Sequence, residues 1–254
     1  MRDPDDRGGT ALVVVDAQND FLPGGSLAVR GGDRILPVLA RLTRWARDRS
    51  LPVFLTRDWH PPHHVSFRER GGPWPSHAVR GTEGARFPGS LPIPRGSVII
   101  SKATDPDREA YSGFDGTPLE RELRKRGITH LVVAGLATDY CVLRTVLDAR
   151  ERGFSVTVVR DAIRGVNRRP GDVFRALARM RRGGARLSRS ATVLRTAPPS
   201  PSKKRPRSRD PRSQSGGSRA PSKGRRLRRR GNPAPLKIPR EGERSVRIGS
   251  IPPL

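Results

Sequence analysis

His130-Leu131-Val132-Val133-Ala134-Gly135-Leu136-Ala137-Thr138-Asp139-Tyr140-Cys141-Val142-Leu143-Arg144-Thr145-Val146-Leu147-Asp148-Ala149 reads as a buried strand that turns sharply into a helix. The apolar run 131–134 shows no polar alternation, as expected of a strand covered on both faces. The turn brings Cys141 near the first helical turn, where unpaired N–H groups and the helix dipole favour a thiolate; a lowered thiol pKa is the expectation. Cys141 is the only cysteine of the 254 residues, which excludes an intrachain disulfide and a Cys-only metal site. A lone cysteine without context is most often an ordinary buried thiol, so its surroundings decide.

Outward from this stretch the chain alternates β runs with helical periodicity. Strands are predicted at 11–15, 53–56, 97–101, 131–134 and 155–159, with a last short one at 191–194. Helices are predicted from Asp33 through Ala46, from Thr117 (with Glu120 in capping-box spacing) to Gly127, from Val142 to about Gly153, and over 172–182. This order implies a mostly parallel sheet with helices on both faces, a three-layer α-β-α sandwich over residues 10–197, behind a flexible stretch 1–9. Such sheets bind ligands beyond the carboxyl ends of their strands. Asp16, Asp58, Lys102 and Cys141 each follow a predicted strand, so four strands converge on one crevice.

Taken together these residues suit nucleophilic chemistry. Asp16 can accept the thiol proton of Cys141, and Lys102 can hold Asp16 ionised and favour the thiolate. A second constellation lies in the long Pro- and Gly-rich segment 57–95, where a loop of that length is usually functional. Asp58 and His60 fall on one side of an extended run and His77 adds a second imidazole, a donor set that suits one divalent ion, Zn²⁺, Mn²⁺ or Fe²⁺. His64 is a further ligand or a donor to the ligands; His63 is assigned to solvent, and His130 to packing or surface.

Residues 198–254 are dominated by Pro, Ser, Gly, Arg and Lys with no aromatic side chain, a composition expected to be disordered. They carry 17 Lys and Arg against three acids, hence +14 of the formal +27. Such a segment can neutralise phosphates without reading bases, so non-specific nucleic-acid contact is weighed equally against a solvated tail. The N-terminal residues lack an apolar signal region and no apolar run approaches the ~20 residues of a membrane helix; a cytoplasmic protein is expected, without membrane contact.

Several stretches in combination resemble the nicotinamidases of the isochorismatase-like cysteine hydrolase superfamily. They are Val15-Asp16-Ala17-Gln18-Asn19-Asp20-Phe21, Gly24-Gly25-Ser26-Leu27, Thr56-Arg57-Asp58-Trp59-His60-Pro61, Trp74-Pro75-Ser76-His77, Gly81-Thr82-Glu83-Gly84-Ala85, Tyr111-Ser112-Gly113-Phe114 and Gly135-Leu136-Ala137-Thr138-Asp139-Tyr140-Cys141-Val142. The resemblance spans residues 10–195 and implies hydrolysis of nicotinamide to nicotinate and ammonia through a cysteine thioester. It implies Asp16, Lys102 and Cys141 as a catalytic triad, and Asp58, His60 and His77 as metal ligands. It also implies a cis peptide at Leu136-Ala137, an oxyanion hole from the N–H groups of Ala137 and Cys141, and ring-walling side chains Phe21, Trp74 and Tyr111. Ala78 stands where the family often has cysteine after the metal histidine, a residue that is neither nucleophile nor essential ligand there. A homo-oligomer is a further expectation.

Two alternatives remain at the level of sequence. One is another hydrolase of the superfamily, acting on an isochorismate-type vinyl ether or a carbamoyl compound; the Asp58, His60, His77 set speaks against it. The other is a nucleic-acid-binding protein acting through its basic tail, against which the intact Asp16, Lys102, Cys141 set speaks.

Overall fold

The computed structural model describes residues 9–195, so the expectations for residues 1–8 and for the basic segment 198–254 lie outside the described residues. Six strands form one sheet in the order β3-β2-β1-β4-β5-β6. They are β1 Gly9–Val15, β2 Val53–Asp58, β3 Val98–Lys102, β4 Ile128–Leu136, β5 Ser155–Arg164 and β6 Arg186–Ser188. Every recorded pair is parallel. The helices are α1 Leu36–Asp48, α2 Leu119–Lys125, α3 Leu143–Glu151, α4 Asp172–Arg182 and α5 Ser190–Arg195.

Alternation along the central strands builds the two apolar layers. Ala11, Val13 and Val15 of β1 and Leu131 and Val133 of β4 join Leu119 and Leu123 of α2, Val146 of α3 and Met180 of α4. On the opposite face Leu12, Val14, Val132 and Ala134 meet Leu39, Leu42, Trp45 and Ala46 of α1 and Val193 of α5. Both faces of β1 and β4 are therefore dry, which is why their sequences read as unbroken apolar runs.

The strands run further toward their carboxyl ends than apolarity alone indicates. β2 includes Asp58 and β3 includes Lys102, paired as neighbours in register. Helix starts differ as well. Asp33 lies inside a single 3-10 turn, Gly32–Ile35, and makes no side-chain cap to α1. Thr117 accepts the Leu119 N–H at 3.2 Å, whereas Glu120 turns to Arg124 (3.0 Å) and Arg152 (3.2 Å) rather than closing a capping box.

The short strand expected at 191–194 is instead part of helix α5, and the last strand precedes it. Asp161 of β5 accepts the Ser190 N–H at 2.7 Å and its hydroxyl at 2.5 Å, which fixes a helix start there. Of Ala191, Thr192, Val193 and Leu194 only Val193 is buried, a helical stripe rather than an alternating one.

The segment after β2 is irregular but closely tied to the sheet. Gln18 donates to the carbonyls of Asp58 (2.8 Å) and Ala85 (2.9 Å) and accepts the Asp58 N–H (2.8 Å). Asp20 accepts the N–H of Ala78 at 2.7 Å and of Ser26 at 3.2 Å. Gly84 packs directly on that carboxylate: a Cβ there would lie 2.2 Å from Asp20 Oδ2.

Candidate active site

At the carboxyl ends of β1, β2 and β3 three charged side chains meet out of solvent. Lys102 Nζ lies 3.0 Å from Asp16 Oδ2 and also bonds Asp58 Oδ1. Its remaining contacts are the Ala110 carbonyl at 3.2 Å and Cys141 Sγ at 3.4 Å. The turn after β4, Thr138–Val142, delivers Cys141 to this cluster. Asp16, Asp58 and Cys141 each place one ligand-type atom within 4.8 Å of the others'. Thr56 donates to Asp16 Oδ1 at 2.6 Å, while Oδ2 has the lysine as an ion-pair partner but no well-aligned donor. That oxygen is free to take a proton.

The electrostatics correct one expectation. Burial pushes the Cys141 thiol well up, and Asp16 and Asp58 add to this against the pull of Lys102. The thiol is thus shifted up and not down as expected from the helix dipole, because dehydration outweighs a dipole at this depth. Asp16 is also raised, by burial and by Asp58, more than Lys102 lowers it, so it is a stronger base than a surface carboxylate. Lys102 stays charged: its two carboxylates outweigh the burial that would discharge it.

Backbone strain gathers at the same place. Asp16, Ala78 and Ala103 have φ of 45°, 44° and 51°, a left-handed conformation uncommon for residues with a Cβ, and each is a site residue or next to one. Leu136-Ala137 is a cis peptide, as the resemblance implied.

Asp58, His60 and His77 present donor atoms within 4.8 Å of one another, all buried. His60 Nδ1 is held by the Ala103 carbonyl at 3.2 Å, which leaves Nε2 buried without a hydrogen-bond partner and 3.9 Å from Asp58 Oδ2. His77 Nδ1 is likewise held by the Pro75 carbonyl at 2.8 Å. A backbone carbonyl on one nitrogen turns the other toward a cation. Burial takes His60 down to about 3 and lowers His77, so both are neutral, and Asp58 is held ionised by Lys102 despite its burial. One ionised carboxylate and two neutral imidazoles fit a divalent metal ion.

His64 is not placed as a ligand. Its Nδ1 meets Ser66 Oγ at 2.7 Å and its Nε2 meets the Arg108 carbonyl at 3.0 Å, so both nitrogens are in use. It packs on His60 with ring centroids 4.1 Å apart, and its bonds to Ser66 and Arg108 leave neither nitrogen donating to Asp58, His60 or His77. His130, at the far end of β4, faces Thr10 and Thr157.

A narrow slot of about 40 Å³ opens between the cysteine and the Asp58, His60, His77 set. Phe21, Trp74, Tyr111 and Ala137 all line it. Tyr140 and Glu109 line it too and were not singled out from sequence. Tyr140 packs edge-on to Trp74 at 5.1 Å, and Trp74 Nε1 donates to the Tyr111 hydroxyl at 3.0 Å. Burial, with Asp58 nearby, raises the Glu109 carboxyl to about 7. Position was the available signal: Tyr140 directly precedes the cysteine and Glu109 lies two residues before Tyr111.

Comparison with known proteins agrees with this fold. The model of the isochorismatase domain matches residues 10–192. The nicotinamidase of Escherichia coli (strain K12) is 39% identical over 198 residues, covering 70% of this chain and 93% of that protein. The crystal structure of the pyrazinamidase of Pyrococcus horikoshii in complex with zinc superposes with a TM-score of 0.69 at 48% identity, over 71% of this chain and 99% of that one. That of PnC1 from L. infantum in complex with nicotinate gives 0.66 at 33% identity, over 73% and 94%.

Proposed function

The chain belongs to the isochorismatase family, and within it we propose that this protein is a nicotinamidase, hydrolysing nicotinamide to nicotinate and ammonia with residues 10–197 as the catalytic domain. The observation that carries this reading is the pairing of a buried Asp58, His60, His77 donor set with Cys141 across one slot walled by Phe21, Trp74 and Tyr111. Aromatic walls of that kind suit a single flat ring with a short substituent.

The roles follow from the contacts. Asp58, His60 and His77 would hold one divalent ion, Zn²⁺, Mn²⁺ or Fe²⁺, which supplies a Lewis-acidic anchor for the pyridine nitrogen. The aromatic walls fix the ring so that the carboxamide carbon faces Cys141 Sγ. Asp16 takes the thiol proton as sulfur attacks, and Lys102, touching both groups, keeps the charge that moves between them stabilised. The backbone N–H groups of Ala137 and Cys141, at the turn, are assigned to the developing oxyanion. Asp16 then hands its proton to the leaving ammonia and, ionised again, activates the water that cleaves the thioester. His64 and Ser66 steady His60 from behind.

Among the described residues no helix is long and apolar enough to cross a membrane. A cytoplasmic site of action, assembly into a homo-oligomer and a non-specific contact of the basic segment with nucleic acid belong to the same proposal.

The deciding experiment is ammonia release from nicotinamide, measured with and without a chelator and after adding back Zn²⁺, Mn²⁺ or Fe²⁺, with isochorismate and carbamoyl compounds in parallel. Turnover of nicotinamide that falls on chelation and returns with metal is expected, with metal content per chain reduced in His60→Ala and His77→Ala. Turnover of isochorismate or a carbamoyl compound without nicotinamide turnover would replace the proposal by another hydrolase of the family.

A further inference from the structure

A second cavity, of about 410 Å³ and far larger than the slot, lies on the other side of the Cys141 turn. Its walls are the carboxyl half of β5 (Arg160, Ile163, Arg164), Val173 and Leu177 of α4, Arg189 ahead of α5, and Thr138. The apolar part is Ile163, Val173 and Leu177; the polar part is three guanidinium groups together with the Asp161 carboxylate, Asn167 and Thr138. Among the described residues none of Arg160, Arg164 and Arg189 is in an ion pair. The acid beside them, Asp161, spends both oxygens on the N–H and hydroxyl of Ser190. Thr138, with no exposed surface, has a buried Oγ1 without a hydrogen-bond partner at the base of this cavity.

The two cavities share a partition. Ala137, Tyr140, Cys141 and Val166 line the slot, whereas Thr138, Gly165 and Asn167, from the same two segments, line the second cavity. Asp139 joins the segments, accepting the N–H of Val166 at 2.9 Å and of Asn167 at 2.7 Å. There is no slack: a Cβ on Gly165 would lie 2.4 Å from Val173 Cγ2 and 2.7 Å from Asp139 Oδ1. A ligand pressing on Gly165, Asn167 or Thr138 therefore presses on the turn that carries Cys141.

We propose that this cavity is a second binding site, for a phosphate monoester carried on a flat apolar body, and that its occupant acts on the Cys141 turn. Three guanidiniums against the one Asp161 carboxylate leave a net charge of about +2, which a phosphate monoester balances at neutral pH and a single carboxylate does not. The planar forks of arginine bind such a group in pairs, and the Ile163, Val173, Leu177 wall covers the body. The volume is within the range of small-molecule sites, roughly 300–1,000 Å³.

The test uses the full chain at fixed ionic strength, with AMP as probe, inorganic phosphate as comparison and calorimetry as readout. Expected are one AMP per chain, binding at least about tenfold tighter than phosphate, and a loss of about tenfold or more in the double variant Arg160→Gln/Arg189→Gln, whose changed side chains are exposed. The control Arg229→Gln/Arg230→Gln removes the same charge from the basic tail. No binding of AMP at millimolar concentration, equal binding of phosphate, or an equal loss in the tail control would overturn the site. AMP is also expected to change the rate of Cys141 alkylation by iodoacetamide at least about twofold in the parent and not in the Arg160, Arg189 variant. Site binding that leaves the alkylation rate unchanged would overturn the action on the turn.

Discussion

Asp16 is the residue on which the chemistry turns, because its carboxylate must be basic enough to take a thiol proton and acidic enough to return one. Two contacts tune it: Lys102 on one oxygen and the Thr56 hydroxyl, at 2.6 Å, on the other. The hydroxyl stabilises the charged form, so Thr56→Val should raise the Asp16 pKa further. The base would then be protonated at a higher pH, and the acid limb of kcat/KM should move upward while the alkaline limb stays. A pH–rate profile checks the sign; a downward shift would mean that Asp16 is not the base. Cys141→Ala should lower turnover by roughly a thousandfold or more with the fold retained, since a methyl group fills the space but cannot form the thioester. Near-normal ammonia release from that variant would return Cys141 to an ordinary buried thiol. Residues at strand ends were legible because strand ends are visible as breaks in apolar runs. The direction of the thiol shift was not, since it depends on how deeply three charges are buried together. Nor were Tyr140 and Glu109, whose neighbours in space come from other segments.

At the scale of elements, β1 and β4 are in contact along their whole length, and the last pair in register is Val15 with Gly135. Gly135 has φ of 122°, and a Cβ there would lie 2.0 Å from the Val15 carbonyl oxygen. Gly135→Ala combines backbone strain with a collision against main chain, and should cost roughly 3 kcal/mol or more. Because the displaced carbonyl directly precedes Asp16, activity should fall even where the variant folds. Denaturant unfolding with parallel assays separates the two effects; unchanged stability would show that the strands can part there at little cost. Helix α4 was readable to the residue from its periodicity, whereas α5 was not. Its start is set by Asp161, which is 29 residues away in sequence.

For the whole molecule, the parallel three-layer sandwich was readable from the β-α order, but the strand order, with β1 and β4 at its centre, was not. Apolar runs say that a strand is buried and do not say by which neighbour. The second cavity escaped for the same reason, being assembled from β5, α4 and two loops. Charge, by contrast, is wholly a matter of sequence. Truncation after Ala197 should leave nicotinamide hydrolysis within about twofold, because every proposed catalytic and metal position precedes it. Any binding of DNA or RNA should disappear with the segment, and in the full chain should weaken by roughly a hundredfold or more between low and physiological salt. Binding that survives high salt, or a truncated chain that loses activity, would contradict this division of labour.

Asp16, Asp58, Lys102 and Cys141 sit at or just beyond the carboxyl ends of four adjacent strands, each about forty positions along the chain from the next. No hairpin or single βα unit holds even half of the constellation, so a partly folded chain has nothing to work with. Parallel pairings of such long separation form late, after the entropy of closing long loops has been lost. Refolding from denaturant should therefore show intrinsic helical signal returning first and catalytic competence returning only with the slowest phase. The order of events in time is written into the spacing of four side chains.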